Sequence, residues 1–291
     1  MQDFAGKVAV VTGGASGIGL GMATRFAAEG MRLVLADIEE EVLEAAAAGL
    51  RENGAEVLAV QTDCGDAASM DNLAEQALGH FGSVHVVCNN AGVGGRGRMW
   101  DLGVNDWEFV LRVNLWGVIH GVRVFAPHLI EQDEGHIVNT GSMAGLVSVA
   151  GVGAYNVSKH GVVTLSETLY GELQDAGSNV GVSVLCPGII RTNLRNSERN
   201  RPDHLRDLEP EEVQARIEST PGFSDTVRLR ALSPEWAAEC VFEGIKANRF
   251  YILTHDDHEG QIARRHDAIQ NDGTPAVVRS TVFAGGPIER D

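Results

Sequence analysis

Thr12-Gly13-Gly14-Ala15-Ser16-Gly17-Ile18-Gly19 joins a short β-branched run, KVAVVT at 7–12, to a helical pattern over 17–29. Glycine lets a backbone approach a pyrophosphate closely, and the first turn of a helix offers unpaired N–H groups with partial positive charge. The glycines at 13, 17 and 19 depart from G-x-G-x-x-G spacing but supply the same mechanics. A turn needed only for helix–strand packing would carry the same letters. Position adds weight to the first reading, because the turn follows the first strand.

Outward from that turn the pattern repeats. Strands are expected at 7–12, 32–37, 56–62, 84–89, 136–140 and 181–185, with a seventh at 250–254. Helices are expected between them at 17–29, 39–52, 67–81, 106–131 and 153–174. The 106–131 stretch reads as one long or kinked helix. Strands that are apolar throughout and separated by helices indicate a parallel sheet buried on both faces. Right-handed crossovers then give an α/β, three-layer, doubly wound arrangement of about seven strands. After Pro187 the pattern weakens: 191–230 is polar, with a helical stretch around 210–217, and a helix is expected at 234–248 with Ser233 as N-cap. One domain over 1–270 is expected, with 191–230 as a lid and 271–291 as an extension.

Composition narrows the function. In 291 residues, 40 acidic against 23 basic side chains give a formal charge of −17, which disfavours nucleic acid and anionic membranes as partners. Cys64, Cys88, Cys186 and Cys240 show no regular spacing, as expected of reduced thiols in a cytoplasmic protein. Neither a signal peptide nor an uninterrupted apolar run near ~18 residues is apparent. His255-Asp256-Asp257-His258-Glu259 reads as a solvated acidic loop, and no metal site is expected. His85, His120, His128 and His136 fall in strand or helix patterns and read as structural.

The second strand ends at Asp37, eighteen residues past Gly19. A carboxylate there suits the ribose hydroxyls of NAD and repels the 2′-phosphate of NADP, and neither Ser16 nor Ile38 is basic. Asp37 as a plain cap of the next helix fits the same geometry. Tyr155 and Lys159 in YNVSK are i and i+4 on one helix face. An ammonium near a phenol lowers its pKa and makes it a usable base, although such a pair is often only an amphipathic face. Ser142 ends the fifth strand, and Asn114 places an amide in an apolar helix where it is otherwise costly. Asn89-Asn90-Ala91-Gly92 ends the fourth strand at the sheet's carboxyl edge.

With these elements in order across 7–192, the sequence resembles the classical short-chain dehydrogenase/reductase family, through TGGASGIG, Asp37, Asp63, NNAG at 89–92, Asn114, Ser142, YNVSK and Pro187-Gly188 with Thr192. The resemblance implies a Rossmann fold, a nicotinamide cofactor and an Asn114, Ser142, Tyr155, Lys159 tetrad. Tyr155 would exchange a proton with a secondary alcohol or ketone, and Ser142 would hold its oxygen. Lys159 would depress the tyrosine pKa and bond the nicotinamide ribose, while Asn114 would position a relay water. Cofactor contacts are implied for Gly13, Ser16, Gly17, Ile18, Gly19, Cys64, Ala91, Gly92, Pro187 and Gly188. The resemblance further assigns Asp63 to adenine, Asn89 to the adenosine-side ribose, and Ile190 and Thr192 to the carboxamide. It also implies a homodimer or homotetramer.

The small apolar run AGLVSVAGVGA at 144–154 is expected to wall an apolar or aromatic substrate site. Arg96 and Arg98 beside it read either as a carboxylate clamp or as solvated side chains. The long 191–230 segment with NRFYILTH is similar to a subgroup that includes Cα-dehydrogenases of lignin-derived aryl ethers. Sensors and scaffolds also use this fold, but are expected to lose Ser142, Tyr155 or Lys159, and all three are present. A same-fold lyase or dehalogenase would not need the intact glycine turn and Asp37.

Overall fold

The computed structural model of the protein describes residues 1–209, 211–213, 215, 231–256 and 259–275. Seven strands form one parallel sheet in the order β3-β2-β1-β4-β5-β6-β7. They are β1 (Val8–Thr12), β2 (Arg32–Asp37), β3 (Val57–Gln61), β4 (Val86–Asn89), β5 (His136–Thr140), β6 (Gly181–Cys186) and β7 (Tyr251–Leu253). The chain runs outward from β1 to β3, then returns to place β4 on the other side of β1. That reversal opens a crevice between the carboxyl ends of β1 and β4, where ligands of such sheets bind.

Both faces of the sheet are covered, which is why its strands read as apolar throughout. Ala9 and Val11 of β1 join one core with Met22 and Phe26 of α1 (Gly17–Ala28), Leu43 of α2 (Glu40–Glu52) and Phe242 of α7 (Pro234–Lys246). Val8 and Val10 point the other way, into a core with Leu73 of α3 (Ala67–Phe81), Phe125 and Leu129 of α5 (Gly117–Gln132) and Leu173 of α6 (Gly153–Asp175). Each fully buried Leu or Phe here contributes roughly 1.5–3 kcal/mol. Ser233 does cap α7, its hydroxyl accepting from Trp236 N at 3.2 Å.

Three features differ from the expectations. The 106–131 helix is really α4 (Val104–Leu111), a π-turn at Arg112–Trp116, and α5. Such turns insert a residue into the ladder and free a carbonyl. Taken together, Val104–Gln132 is a run long and apolar enough to cross a membrane, and more than half of its most apolar window is buried in the fold. Second, α8 (Glu259–Gln270) follows β7, and its Ile262 packs with Met143 and Val147. Third, His255 is not on a solvated loop: it is buried, and its Nδ1 shares a hydrogen bond with Thr254 Oγ1 at 2.7 Å.

His128 is exposed, whereas His85, His120 and His136 are buried. Of the expected lid, 191–209 holds two short 3-10 turns, Leu194–Asn200 and Asp203–Leu205. Most of the helical stretch expected around 210–217, the rest of the lid, His258 and the extension beyond 275 lie outside the described residues.

Candidate functional site

The crevice is floored by a staple of three strand ends. Thr12 Oγ1 accepts from Asn90 N at 2.9 Å and Ala91 N at 3.1 Å, and donates to Cys88 O at 3.3 Å. Asn90 Nδ2 donates to Thr12 O at 3.0 Å, while its Oδ1 accepts from Thr140 Oγ1 at 3.2 Å. One amide thus ties β1, β4 and β5 at the point where the sheet reverses direction.

At one end of the crevice the glycine turn has no room for side chains. Gly13 and Gly17 take φ of +63° and +53°, which disfavour other residues. A Cβ on Gly19 would lie 2.0 Å from Gly13 O. Ser16 precedes α1 without bonding any of its amides through the side chain, so the first-turn N–H groups stay open to the cleft. Asp37 lies beside the turn, with Oδ2 accepting from Ala15 N at 3.1 Å and Oδ1 from Glu39 N at 3.2 Å. Burial nevertheless raises its pKa, because the carboxylate loses hydration. Asp63 accepts from Arg112 Nη2 at 2.7 Å and from Gly65 N at 2.9 Å, and buried Cys64 is pushed up to about 12. A charged rim closes this end: Arg199 Nε sits 2.6 Å from Glu39 Oε1, joining the Leu194–Asn200 turn to the residue that precedes α2.

At the other end stand Ser142, Tyr155 and Lys159, all lining the crevice. Ser142 Oγ accepts from Ala144 N at 3.1 Å, which starts the short turn Met143–Gly145. Lys159 Nζ donates to Thr140 O at 2.8 Å and lies 5.6 Å from the centre of the Tyr155 ring. Burial brings Lys159 down to about 8. The tyrosine differs from expectation: burial raises its pKa, and the hydrogen bond with Ser142 opposes that only in part. Lys159 reaches the Thr140 carbonyl, and in the chain by itself desolvation of the phenolate outweighs the help expected from the ammonium.

Of the residues named from the sequence, Gly13, Ser16, Gly17, Ile18, Asp37, Asp63, Cys64, Ala91, Gly92, Pro187, Gly188, Ile190 and Thr192 line the same crevice. Three do not. Gly19 lies behind the turn, against Gly13 O. Asn89 is buried in the sheet with Nδ2 on Asn139 Oδ1 at 2.9 Å, and its neighbour Asn90 holds the cleft position instead. A strand's alternation explains the swap, since consecutive side chains face opposite ways. Asn114 sits within the π-turn, behind the wall. Its Oδ1 accepts from Val93 N at 2.7 Å, and its Nδ2 donates to Val93 O at 3.0 Å and Ser158 Oγ at 3.2 Å. Those bonds tie the amide to the wall at Val93 and to Ser158.

Several lining residues carried no sequence signal, among them Thr140 and the cluster Asn193, Leu194, Ser197, Arg199 and Asn200. That cluster reaches the cleft because Gly94 N donates to Ser197 Oγ at 2.8 Å, a contact across 103 positions. Gly188 is steadied by Thr254 Oγ1, which accepts from its N at 3.1 Å. A second, apolar cavity adjoins the first, walled by Met143, Ala144, Val147, Val149 and Val152 as expected of 144–154. Ser142 and Tyr155 line both. Arg96 lines the second cavity, whereas Arg98 is exposed over the Trp100 ring.

A glycine turn at a strand-to-helix junction, a carboxylate at the end of β2 and an apolar cavity sharing a serine and a tyrosine describe a dinucleotide-dependent oxidoreductase site. Residues 7–203 match the short chain dehydrogenase family, and the chain belongs to it. It is 35% identical over 279 residues to a CLA biosynthesis dehydrogenase/reductase of Lactiplantibacillus plantarum, covering 95% of this chain and 98% of that protein. It is 34% identical over 262 residues to 1-deoxy-11-beta-hydroxypentalenate dehydrogenase of Streptomyces avermitilis, covering 88% and 87%. Among solved structures, a short chain dehydrogenase/reductase from Burkholderia phymatum in complex with NAD superposes with a TM-score of 0.89 at 44% identity, covering 96% of this chain and 99% of that one.

The cradle fits such a cofactor on its own terms. The glycine turn excludes any Cβ at Gly19, the α1 amides are open, and Asp37 is held with its carboxylate lining the cleft.

Proposed function

We propose that the protein interconverts a secondary alcohol and its ketone with NAD, Tyr155 being the general acid/base. The observation that carries this is the position of Ser142 and Tyr155, which line the nucleotide crevice and the apolar cavity at once. Two cavities that share a hydroxyl pair bring a cofactor and a substrate to the same oxygen.

When bound, the nicotinamide supplies a carbon that accepts or returns hydride. The chain does the rest. Ser142 Oγ holds the substrate oxygen, and Tyr155 Oη takes the alcohol proton or returns it to the ketone. Lys159 adds a positive charge that favours the phenolate, and its anchor on Thr140 O fixes its place at the end of β5. Asn114 is a positioning residue. It ties the wall at Val93 to Ser158, and the Ser158 hydroxyl donates to Tyr155 O at 2.8 Å. The crevice holds the dinucleotide through the α1 amides, Asp37 and the backbone at Gly13 and Gly17, with Asp63 and Cys64 toward the adenine.

NAD is favoured over NADP because Asp37 and Glu39 both line that end, and the nearby Arg199 is already paired with Glu39. A 2′-phosphate would meet two carboxylates. The substrate body is apolar, in keeping with the cavity's walls, and the assembly is a homo-oligomer in the cytoplasm.

The test is reduction of NAD, followed at 340 nm with a panel of secondary alcohols, in the wild type and Tyr155→Phe. Loss of the hydroxyl is expected to lower kcat at least a hundredfold while the NAD Kd changes less than threefold. Retention of more than a tenth of wild-type kcat in Tyr155→Phe would remove the tyrosine from its role. No turnover across the panel, with NAD still bound, would favour a nucleotide sensor.

A further inference from the structure

One wall of the apolar cavity is a loop tied to the helix that bears Tyr155. Val147, Val149 and Val152 line the cavity from the stretch between β5 and α6. Backbone bonds hold the two ends of that loop: Val147 N donates to Met143 O at 2.9 Å, and Gly97 N donates to Gly151 O at 3.0 Å. Between those ends Ser148 and Ala150 are exposed. Val149 is tied to the side chain of Asn156, the residue after Tyr155 near the start of α6. Asn156 Nδ2 donates to Val149 O at 2.7 Å, and Asn156 Oδ1 accepts from Val149 N at 3.4 Å.

One amide side chain thus meets the N–H and the C=O of a single residue, as a neighbouring strand would. Asparagine suits the task because it carries a donor and an acceptor side by side on a short arm. The shorter of the two bonds is the stronger, so the Val149 carbonyl is the main anchor. The valine side chain joins a cluster with Met143, Val147 and Ile262 of α8 while it lines the cavity. Asn156 lines neither cavity, so its influence on a substrate runs through Val149. Without the tie, an apolar substrate would have to order this stretch of wall as it bound.

We propose that Asn156 is a positioning residue for substrate specificity: it fixes Val149 in advance and thereby favours long or bulky apolar secondary alcohols over small ones. This rests on the alcohol dehydrogenase reading given above. A wall ordered by the fold gives each apolar group that reaches it the full benefit of leaving water. An alcohol too short to reach Val149 gains nothing from it. Ser142 and Tyr155 act on the oxygen that all such alcohols share, so the selection falls on KM and not on kcat.

The experiment measures kcat and KM for 2-alkanols from 2-butanol to 2-nonanol with saturating NAD. The proteins are the wild type, Asn156→Ala, Asn156→Ser, Val149→Ala and the double variant of Asn156→Ala with Val149→Ala. In the wild type kcat/KM is expected to rise about three- to fourfold per methylene until the chain fills the cavity. Asn156→Ala should cut that rise to below about 1.5-fold, through KM, and leave 2-butanol within threefold of its wild-type value. The pH profile of kcat and the NAD Kd should stay where they are, whereas a general loosening of α6 would move both. Val149→Ala should also flatten the series, and adding Asn156→Ala to it should change kcat/KM less than twofold further, because the amide acts through that valine. Asn156→Ser, whose single hydroxyl cannot make both bonds, carries the test if Asn156→Ala no longer binds NAD. A wild-type series without a rise, a rise that survives the Asn156 variants, an equal loss for every alcohol, or additive losses in the double variant each overturn the role of Asn156 alone. No turnover of any alcohol in the series by the wild type overturns both that role and the alcohol dehydrogenase reading.

Discussion

The two edges of the same sheet use polar residues in opposite ways. At the carboxyl edge, Asp37, Ser142, Tyr155 and Lys159 line a crevice. At the amino edge, polar groups are consumed within the fold. His85 Nδ1 accepts from Val8 N at 3.2 Å, and Gln132 Nε2 donates to Val84 O at 2.7 Å. His136 Nε2 bonds Ser183 Oγ at 2.7 Å, and that hydroxyl donates to Arg249 O at 2.6 Å. Strands of uniform apolarity connect the two edges, so residue type alone does not separate a ligand-facing polar group from a structural one. What separates them is which end of the strand they occupy. A substitution at the carboxyl edge should therefore cost binding, and one at the amino edge should cost stability.

The largest effect is expected at Gly19. Its absent Cβ would collide with Gly13 O at 2.0 Å and approach Asn90 Nδ2 at 2.8 Å, so Gly19→Ala must move both the turn and the staple beneath it. The NAD Kd should rise at least a hundredfold in a fluorescence titration. A change below threefold would show that the turn tolerates displacement and that its glycines serve packing only. Asn114→Ala comes next and tests the boundary between the two behaviours. It leaves the buried Val93 N–H and carbonyl unpaired, at a cost of about 3 kcal/mol in urea unfolding. Because Asn114 also steadies the Tyr155 segment through Ser158, kcat should fall while the NAD Kd holds. Unchanged stability would sink the assignment of its amide to the wall.

Legibility in the sequence follows the same division. All seven strands fall within about two residues of their expected ends, because burial on both faces forces apolar runs that need no partner to be recognised. The glycine turn and the 155–159 pair were legible for a similar reason: their geometry is local. Helix α8 was not, since its polar sequence docks through Ile262 onto a cluster assembled from 143–149. Nor was the Asn193–Asn200 rim, which depends on Ser197 meeting Gly94. The π-turn hid inside an unbroken helical pattern, and Asn89 and Asn90 exchanged places because strand phase near an end is set by tertiary packing.

At the amino edge, His136 gives a pH signature. Burial lowers its pKa from an unfolded value near ~6.5 to about 3, so the unfolded chain binds the extra proton between those limits. The stabilisation is present above pH ~6.5 and is lost as pH falls toward about 3, with about 2 kcal/mol gone by pH 5. His136→Gln should flatten that part of the acid limb in urea unfolding and leave the NAD Kd at pH 7.5 unchanged. An unaltered acid limb would shift the effect onto His85 or His120, which burial also lowers.

The smallest effect sits on the rim, where the division between the edges weakens. The Arg199–Glu39 pair is partly exposed, with side chains 33% and 24% accessible, so it is worth about 0.5 kcal/mol. Arg199→Ala should speed NAD release two- to threefold in stopped flow, an effect that salt suppresses. Glu39→Gln has the same loosening effect but a distinct second one, because it frees a guanidinium near Asp37 and removes one of two carboxylates. NADP affinity should then rise several-fold relative to NAD, and the double variant should lose that gain. If Glu39→Gln leaves the NADP-to-NAD ratio where it was, Asp37 alone sets cofactor choice, and the rim contributes only to how fast the crevice opens.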